Sequence, residues 1–315
     1  MKNSKINKAL VVGTGTMGPG IAQSFAQAGI DVDLFGRNPD QLPQAVEIIR
    51  QNLEAFVTHQ LISSQQAQEI LARVRLQTDL AAACDGTDFV IEAVPESLEI
   101  KCAVFSELGR LCPRSAILAS NTSGLSITAL SAATDRPDLV VGAHYWNPAH
   151  LMPLVEVVRG ERTSDQTMTE TVNLMTRLGK KPVRVEKEIW GFIGTRLHQA
   201  LIREAFYLLE EGVATIQDVD AVVKYSFGRR LPITGPFETC DLGGLDVFLA
   251  ASESWAELSN EAGPSALLVQ KVTQGDLGGK TGKGLYAWDS DRLKLLMETR
   301  EAELIRYLIQ DKKEN

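Results

Sequence analysis

The N-terminal half of the chain alternates two kinds of apolar pattern. Short runs (Ala9–Val12, Val32–Phe35, Asp88–Val94, Ala116–Ala119) end at glycine, proline or a polar cluster, as strands buried on both faces do. Between them, apolar positions recur at helical spacing. Met17, Ile21, Ala22, Phe25 and Ala28 predict a helix closed by Gly29. Ala45, Ile48, Ile49, Leu53 and Phe56 predict the first arm of a helical hairpin across Pro39–Ala72, whose second arm follows Ser64. Another helix bears Lys101. Leu139–Arg159 reads as strand, loop, strand, with His144 ending the first strand and Glu156 inside the second. Pro182–Val185 completes the sheet.

After Lys187 no convincing strand follows. Phe192–Leu209 predicts a long helix stopped at Gly212, and Thr215–Asp218 a capping box that opens the next. Gly235-Pro236 and Gly243-Gly244 punctuate two more, and the glycine-rich stretch Gly279–Tyr286 reads as a turn. Asp289–Lys312 is amphipathic, with Leu293, Leu296, Leu304 and Leu308 set to pack on the domain or on a partner subunit. The chain therefore divides into an α/β domain, 1–187, and an all-α domain, 188–315.

Composition narrows the choice of partner. A length of 315 residues suits two domains, each with its own core. The net charge of -8 leaves no electrostatic footprint for nucleic acid. No apolar run approaches a membrane span, and Met1–Ser4 leads into a strand rather than the apolar core of a signal peptide. Cys84, Cys102, Cys112 and Cys240 are scattered without ligand spacing, which points to reduced packing residues in a cytoplasmic protein and to no metal site.

Gly13-Thr14-Gly15-Thr16-Met17-Gly18 follows a strand, opens a helix and lies in a βαβ unit. In that setting the glycines predict a Rossmann-type dinucleotide site. Gly13 permits the tight turn, Gly15 lets backbone approach a pyrophosphate, and Gly18 lets helix and strand pack closely. The free N–H groups at the helix start, Thr16 and Met17 included, then face the phosphates. The acid expected after the second strand, for an adenosine ribose, is missing. Gly36-Arg37 stands there instead. A lost carboxylate and a gained guanidinium both favour NADP, the other reading being NAD beside a solvent-facing arginine.

Glu156 interrupts an apolar strand, where an unpaired carboxylate would lose its hydration, and His144 is its nearest candidate partner. Alone, the pair could equally be a strand with one solvent-facing acid. In an open parallel sheet, however, ligands bind at the carboxyl ends of the strands. Glu96, Asn121 with Ser123, and His144 all fall at such ends, which favours an acid–base pair.

These residues resemble the L-3-hydroxyacyl-CoA dehydrogenases, and the likeness runs from Ala9 to Trp288. It is carried by Gly13–Ala22, Ser120–Ser123, His144-x-x-Asn147-Pro148, Leu154–Val157, Gly191–Ile193, Gly235–Glu238 and the Lys280–Tyr286 loop. The resemblance implies a catalytic dyad at His144 and Glu156 and a substrate-oxygen contact at Ser123. It also implies nicotinamide-side roles for Glu96, Lys101, Asn121 and Asn147, and a homodimer formed through the helical domain. Thr195 stands where the family has an asparagine, and offers a hydroxyl in place of an amide. Trp190 replaces a proline, and Gly36 the ribose acid. Gln51–Ala72 holds no Lys or Arg, whereas the family's hairpin carries lysines that meet the CoA phosphates. Tyr145–His150 and the extra C-terminal helix look more like side branches that act on small non-CoA hydroxy acids, such as the L-gulonate and pyridine-carboxylate dehydrogenases.

The reaction so implied is reversible hydride transfer between NAD or NADP and a hydroxyl-bearing carbon, on a CoA-linked or free hydroxy or oxo substrate. His144 exchanges the proton, Glu156 orients it, and Ser123 and Thr195 hold the oxygen. Two rivals remain. One is a cofactor-binding protein without turnover. The other is a 3-hydroxyisobutyrate-type enzyme, whose interdomain-helix lysine is missing from Phe192–Leu209. His59 and His198 read as surface or packing residues, and His150 as either a substrate contact or a loop histidine.

Overall fold

Eight strands make one sheet in the order β3-β2-β1-β4-β5-β6-β7-β8. They are β1 (Lys8–Val12), β2 (Asp31–Phe35), β3 (Val74–Gln77), β4 (Phe89–Glu92), β5 (Ile117–Ser120), β6 (Val140–Tyr145), β7 (Leu154–Val158) and β8 (Lys181–Val185). All neighbours pair parallel except β6 and β7. The computed structural model describes residues 6–260 and 263–314, with side chains of the last helix described to Asp311. Met1–Ser4, read above for its lack of leader character, lies outside the described residues.

β1, β4 and β5 are buried nearly throughout because helices cover both faces. On one face α1 (Gly18–Gln27), α2 (Leu42–Thr58) and α3 (Ser64–Ala72) lay Ile21, Phe25, Ile49 and Leu53 against Val11, Leu34 and Ile91. The hairpin forms as the periodicity predicts, and Ser63 with Gln66 makes a full capping box for α3. On the other face lie α4 (Leu80–Cys84), α5 (Leu98–Leu111) and α6 (Ile127–Ala132), with Phe105, Leu108 and Leu130 against Leu10, Val90 and Leu118. α7 (Asp165–Arg177) precedes β8 and supplies Met168 and Met175 to the first face. The strand order reverses direction between β1 and β4, and the crevice at their carboxyl ends is where such sheets bind ligands.

β3 escapes periodicity because its Val-Arg-Leu-Gln is half exposed at the sheet edge and shows no apolar run. The long helix α8 (Gly194–Glu210) starts two residues later than Phe192, since Gly191 and Phe192 take positive φ values of 74° and 49°.

The chain forms two compact units, one of residues up to Thr195 together with Arg300 onward, the other of Arg196–Thr299. The second unit holds most of α8, then α9 (Ile216–Tyr225), α10 (Pro236–Gly243), α11 (Leu245–Ser252) and α12 (Ala266–Thr273). Thr215 caps α9 through the Asp218 N–H at 3.2 Å. The glycine-rich loop is a self-closed turn, with Gly278 N–H donating to Lys283 O at 2.7 Å and Asp276 paired to Lys271 and Lys283. The last helix, α13 (Ser290–Glu314), begins in the second unit and ends in the first.

Candidate active site

The antiparallel register of β6 and β7 sets His144 directly opposite Glu156. Their side chains meet, His144 Nδ1 lying 2.8 Å from Glu156 Oε2. Both groups are buried, at 6% and 1% side-chain exposure, so water does little to weaken their contact. Glu156 Oε1 accepts the backbone N–H groups of Ile193 and Gly194 at 2.9 and 3.0 Å. Burial would raise the Glu156 pKa, but the His144 ring and these two N–H groups at the start of α8 outweigh it, and the carboxyl lies below its ordinary value. An ionised Glu156 makes Nδ1 the donor and leaves Nε2 with a lone pair. Trp146 and Phe192 flank the ring, their centroids 5.6 and 5.7 Å from that of His144. The positive φ of Phe192 is thus held by a buried ring packed on the imidazole.

Ser123, at the end of β5, is positioned through Glu96. Glu96 Oε1 accepts the Ser123 N–H at 2.9 Å and also the Thr122 hydroxyl. Asn121 Oδ1 accepts the Tyr145 N–H at 2.8 Å, tying the β5 loop to the end of β6. Asn147 is exposed just beyond β6, and Thr195 is half-buried as the second residue of α8. Lys101, taken above for a cofactor-side residue, is 1% exposed. Its ammonium meets Glu92 Oε1 at 2.7 Å, Val94 O at 3.2 Å and Glu96 Oε2 at 3.3 Å.

Glu92 was not singled out by sequence reasoning. It is fully buried at the end of β4, and Oε2 accepts the Ser120 hydroxyl at 2.7 Å while Oε1 accepts the Val94 N–H at 2.7 Å. The available signal was a carboxylate closing an otherwise apolar strand, the same signal that drew attention to Glu156.

Of the residues expected to meet the cofactor, Gly13, Gly15, Thr16, Met17, Gly36 and Arg37 line one cavity and Arg37 also a second, whereas Gly18, Glu96, Lys101, Asn121 and Asn147 line neither. The first, of about 530 Å³, is lined by Gly13 to Met17, by Gly36, Arg37 and Asn38, and by Ala93 to Pro95. The second, of about 910 Å³, runs past Arg37 between Thr78–Ala81 and the first turns of α5. The glycine loop suits a dinucleotide. Gly13 has φ +124° and room for no Cβ beside Ala93 O, a Cβ on Gly15 would meet nothing within 4 Å, and α1 starts with neither a side-chain cap nor an acid. Gly36 is packed: a Cβ there would lie 2.7 Å from Thr14 Cγ2. The acid of β2, Asp33, is turned away into ion pairs with Lys8 and Arg75. Arg37 is exposed on the rim shared by both cavities.

Among the described residues no cluster of three or more His, Cys, Asp or Glu could hold a metal ion, and no helix is long and apolar enough to cross a membrane.

Residues 8–189 match the family profile of the 3-hydroxyacyl-CoA dehydrogenase NAD binding domain, and residues 191–288 that of its C-terminal domain. The 5-formyl-3-hydroxy-2-methylpyridine 4-carboxylate 5-dehydrogenase of Mesorhizobium japonicum is 34% identical over 302 residues, 95% of this chain and 96% of that one. The 3-hydroxybutyryl-CoA dehydrogenase of Clostridioides difficile is 37% identical over 286 residues, 90% of this chain and 99% of that one. A crystal structure of a dehydrogenase for the same formyl-pyridine carboxylic acid, described as an NAD+-dependent dismutase, superposes with a TM-score of 0.89 at 32% identity, covering 98% of this chain and 99% of that one.

Proposed function

The chain belongs to the 3-hydroxyacyl-CoA dehydrogenase family of oxidoreductases acting on CH–OH, and we propose that it oxidises or forms the carbinol of a small carboxylic acid free of CoA. The observation that carries the chemistry is the buried 2.8 Å contact of His144 Nδ1 with Glu156, whose second oxygen is held by two N–H groups. With Nδ1 so engaged, Nε2 takes the hydroxyl proton as the carbinol carbon loses hydride. Glu156 stabilises the imidazolium that forms and keeps the ring from rotating. In reduction the same nitrogen returns the proton. A nicotinamide dinucleotide, whose phosphates the glycine loop would hold, would supply the hydride acceptor or donor. Ser123 and Thr195 hold the substrate oxygen, and Glu96, by fixing the Ser123 backbone, sets where that hydroxyl stands. Lys101 acts from below by holding Glu96.

Three features support a substrate without CoA. Gln51–Ala72 offers no Lys or Arg to the several phosphate charges of a CoA ester. Thr195 replaces the family's asparagine. The pyridine-carboxylate relatives match along 95% and 98% of the chain, the solved one with a TM-score of 0.89. For the cofactor we favour NADP, because position 36 carries no acid, a Cβ there would press on the Thr14 side chain, and the exposed Arg37 stands on the cavity rim where it could meet a 2′-phosphate.

The test is a spectrophotometric screen of NADH and NADPH oxidation with acetoacetyl-CoA against small oxo acids. NADPH preference without acetoacetyl-CoA turnover is expected, and efficient NADH-linked reduction of acetoacetyl-CoA would overturn both refinements. His144→Gln should leave cofactor binding intact and lower turnover by ~10²–10⁴-fold. Full activity in that variant would remove His144 from the mechanism.

The active form is a homodimer in this reading. Among the described residues of Arg196–Thr299 no apolar side chain is fully buried, while Ile233, Phe237, Leu242 and Leu249 are 76%, 87%, 78% and 71% exposed. Apolar faces of that extent call for a second copy. Light scattering on the purified protein should give twice the chain mass of 34.4 kDa, and a monomer would refute it.

A further inference from the structure

Glu92 has no part in the acid–base step, yet its carboxylate is fully buried. The parallel register sets it beside Ser120, the last residue of β5. A carboxylate in such a place is tolerated only where donors replace its water. Oε1 takes the Val94 N–H and the Lys101 ammonium, both at 2.7 Å, and Oε2 takes the Ser120 hydroxyl at 2.7 Å.

From these contacts two arms reach the loop after β5. The short arm runs through Ser120, whose oxygen accepts the Thr122 N–H at 3.2 Å. The long arm runs through Lys101, whose ammonium also lies 3.3 Å from Glu96 Oε2. Glu96 Oε1 accepts the Thr122 hydroxyl and, at 2.9 Å, the Ser123 N–H. Both arms meet at Thr122, whose hydroxyl oxygen accepts the Gly124 and Leu125 N–H groups at 3.3 and 2.9 Å. The Glu92 backbone carbonyl takes the Asn121 N–H at 2.8 Å. Each backbone N–H from Asn121 to Leu125 is therefore held inside the network that Glu92 anchors. A loop past the end of its strand has no ladder to fix it, so these side-chain acceptors set its course.

We propose that Glu92 is a positioning residue for the 121–125 loop and, through it, for the Ser123 hydroxyl that meets the substrate oxygen. This rests on the dehydrogenase reading given above. The network needs a carboxylate because three donors converge on its two oxygens. A glutamine must turn its NH2 toward one side. Facing Ser120, it leaves the serine proton without its acceptor. Facing Val94 and Lys101, it sets donor against donor. Either way one arm lets go and the Ser123 hydroxyl loses its fixed place.

The experiment prepares Glu92→Gln, Ser120→Ala and Ser123→Ala in the full chain, and combines each of the first two with Ser123→Ala. Circular dichroism verifies folding, and Ser120→Ala carries the test where Glu92→Gln does not fold. Turnover is followed with acetoacetate and with acetoacetyl-CoA, at saturating NADPH and NADH. Glu92→Gln should lower kcat by roughly 10- to 100-fold, the scale of a misplaced contact. Once Ser123 is alanine, the same change should cost no more than about twofold. Equal losses in both backgrounds would mean a general structural role and overturn the proposal. Amide hydrogen exchange gives a readout that needs no turnover. In Glu92→Gln it should quicken at 122–125 and stay slow at 140–144 in β6. Unchanged exchange at 122–125, or quickening throughout the sheet, also overturns it. Full turnover in Ser123→Ala, with exchange at 122–125 quickened by Glu92→Gln, would refute the Ser123 contact and leave the loop anchor standing, so the two readings fail separately.

Discussion

Glu156 faces His144 across the β6–β7 register and meets Nδ1 at 2.8 Å, while its other oxygen is pinned by the Ile193 and Gly194 N–H groups. The carboxylate therefore serves two masters, the imidazole and the first turn of α8. Glu156→Gln keeps the shape but offers a neutral amide to both. Turnover should fall by ~10²–10⁴-fold, with cofactor affinity unchanged. Stability should respond to pH as well. The Glu156 pKa is depressed below its ordinary 4.5. Its stabilisation is present above that value and is lost as pH falls through the folded-state pKa. The Tm gap between wild type and Glu156→Gln should then shrink on acidification below about 4.5. A gap that stays constant to pH 2 would show that the charge is not what holds the site.

Position 36 couples to position 14. A Gly36→Asp substitution alone places Cβ 2.7 Å from Thr14 Cγ2, so it should weaken both cofactors rather than convert preference. Pairing it with Thr14→Gly should restore binding and shift it to NADH. Arg37→Ala should raise the NADPH Kd by about tenfold and leave that for NADH nearly unchanged. Fluorescence titration of the reduced cofactors reads each case. Equal loss for both cofactors in Arg37→Ala would favour NAD as the natural partner.

The Glu92–Lys101 pair is buried at 0% and 1% exposure, with Ser120 and Val94 completing its hydrogen bonds. Removing Glu92 leaves the buried Lys101 ammonium with the half-exposed Glu96 at 3.3 Å as its remaining carboxylate. Glu92→Leu should therefore cost on the order of 3–5 kcal/mol in urea unfolding, and adding Lys101→Met should recover much of it. Additive losses would mean that the two groups do not depend on one another.

Lys180 is buried beneath the 148–152 turn, and burial lowers its pKa from 10.5 to about 8. Between those values the unfolded chain holds a proton that the folded protein does not, so stability contributed at this position rises with pH across the window. Compared with Lys180→Met, the wild type should gain in Tm as pH increases from 8 to 10.5. The opposite trend would place the ammonium in a better solvated setting than the structure does.

Much of this was legible in the chain. The glycine loop, the hairpin and the strand ends are local patterns of spacing, and His144, Ser123 and Asn121 fall at strand ends that any parallel sheet would bring together. The resemblance implies a nicotinamide-side role for Lys101, and spacing does not tell how deep its side chain lies. In the fold its ammonium is held by Glu92 and Glu96. Glu92 has no histidine near it in the chain to suggest a partner, and only its burial beside Lys101 and Ser120 gives the lone acid of that strand a role. β3 was missed because an edge strand need not be apolar.

The sequence by itself determined the alternation of strands and helices, the dinucleotide turn and the identity of the acid–base pair as candidates, for these depend on neighbours in the chain. Which oxygen of Glu156 meets the ring and what holds the other, the burial of Lys101 on Glu92, and the seating of Ile305 on Phe56 and Leu151 were decided only by the tertiary structure. Those contacts join residues 9 to 249 positions apart, and local preference cannot choose among partners so distant. Close packing of the buried groups makes the choice.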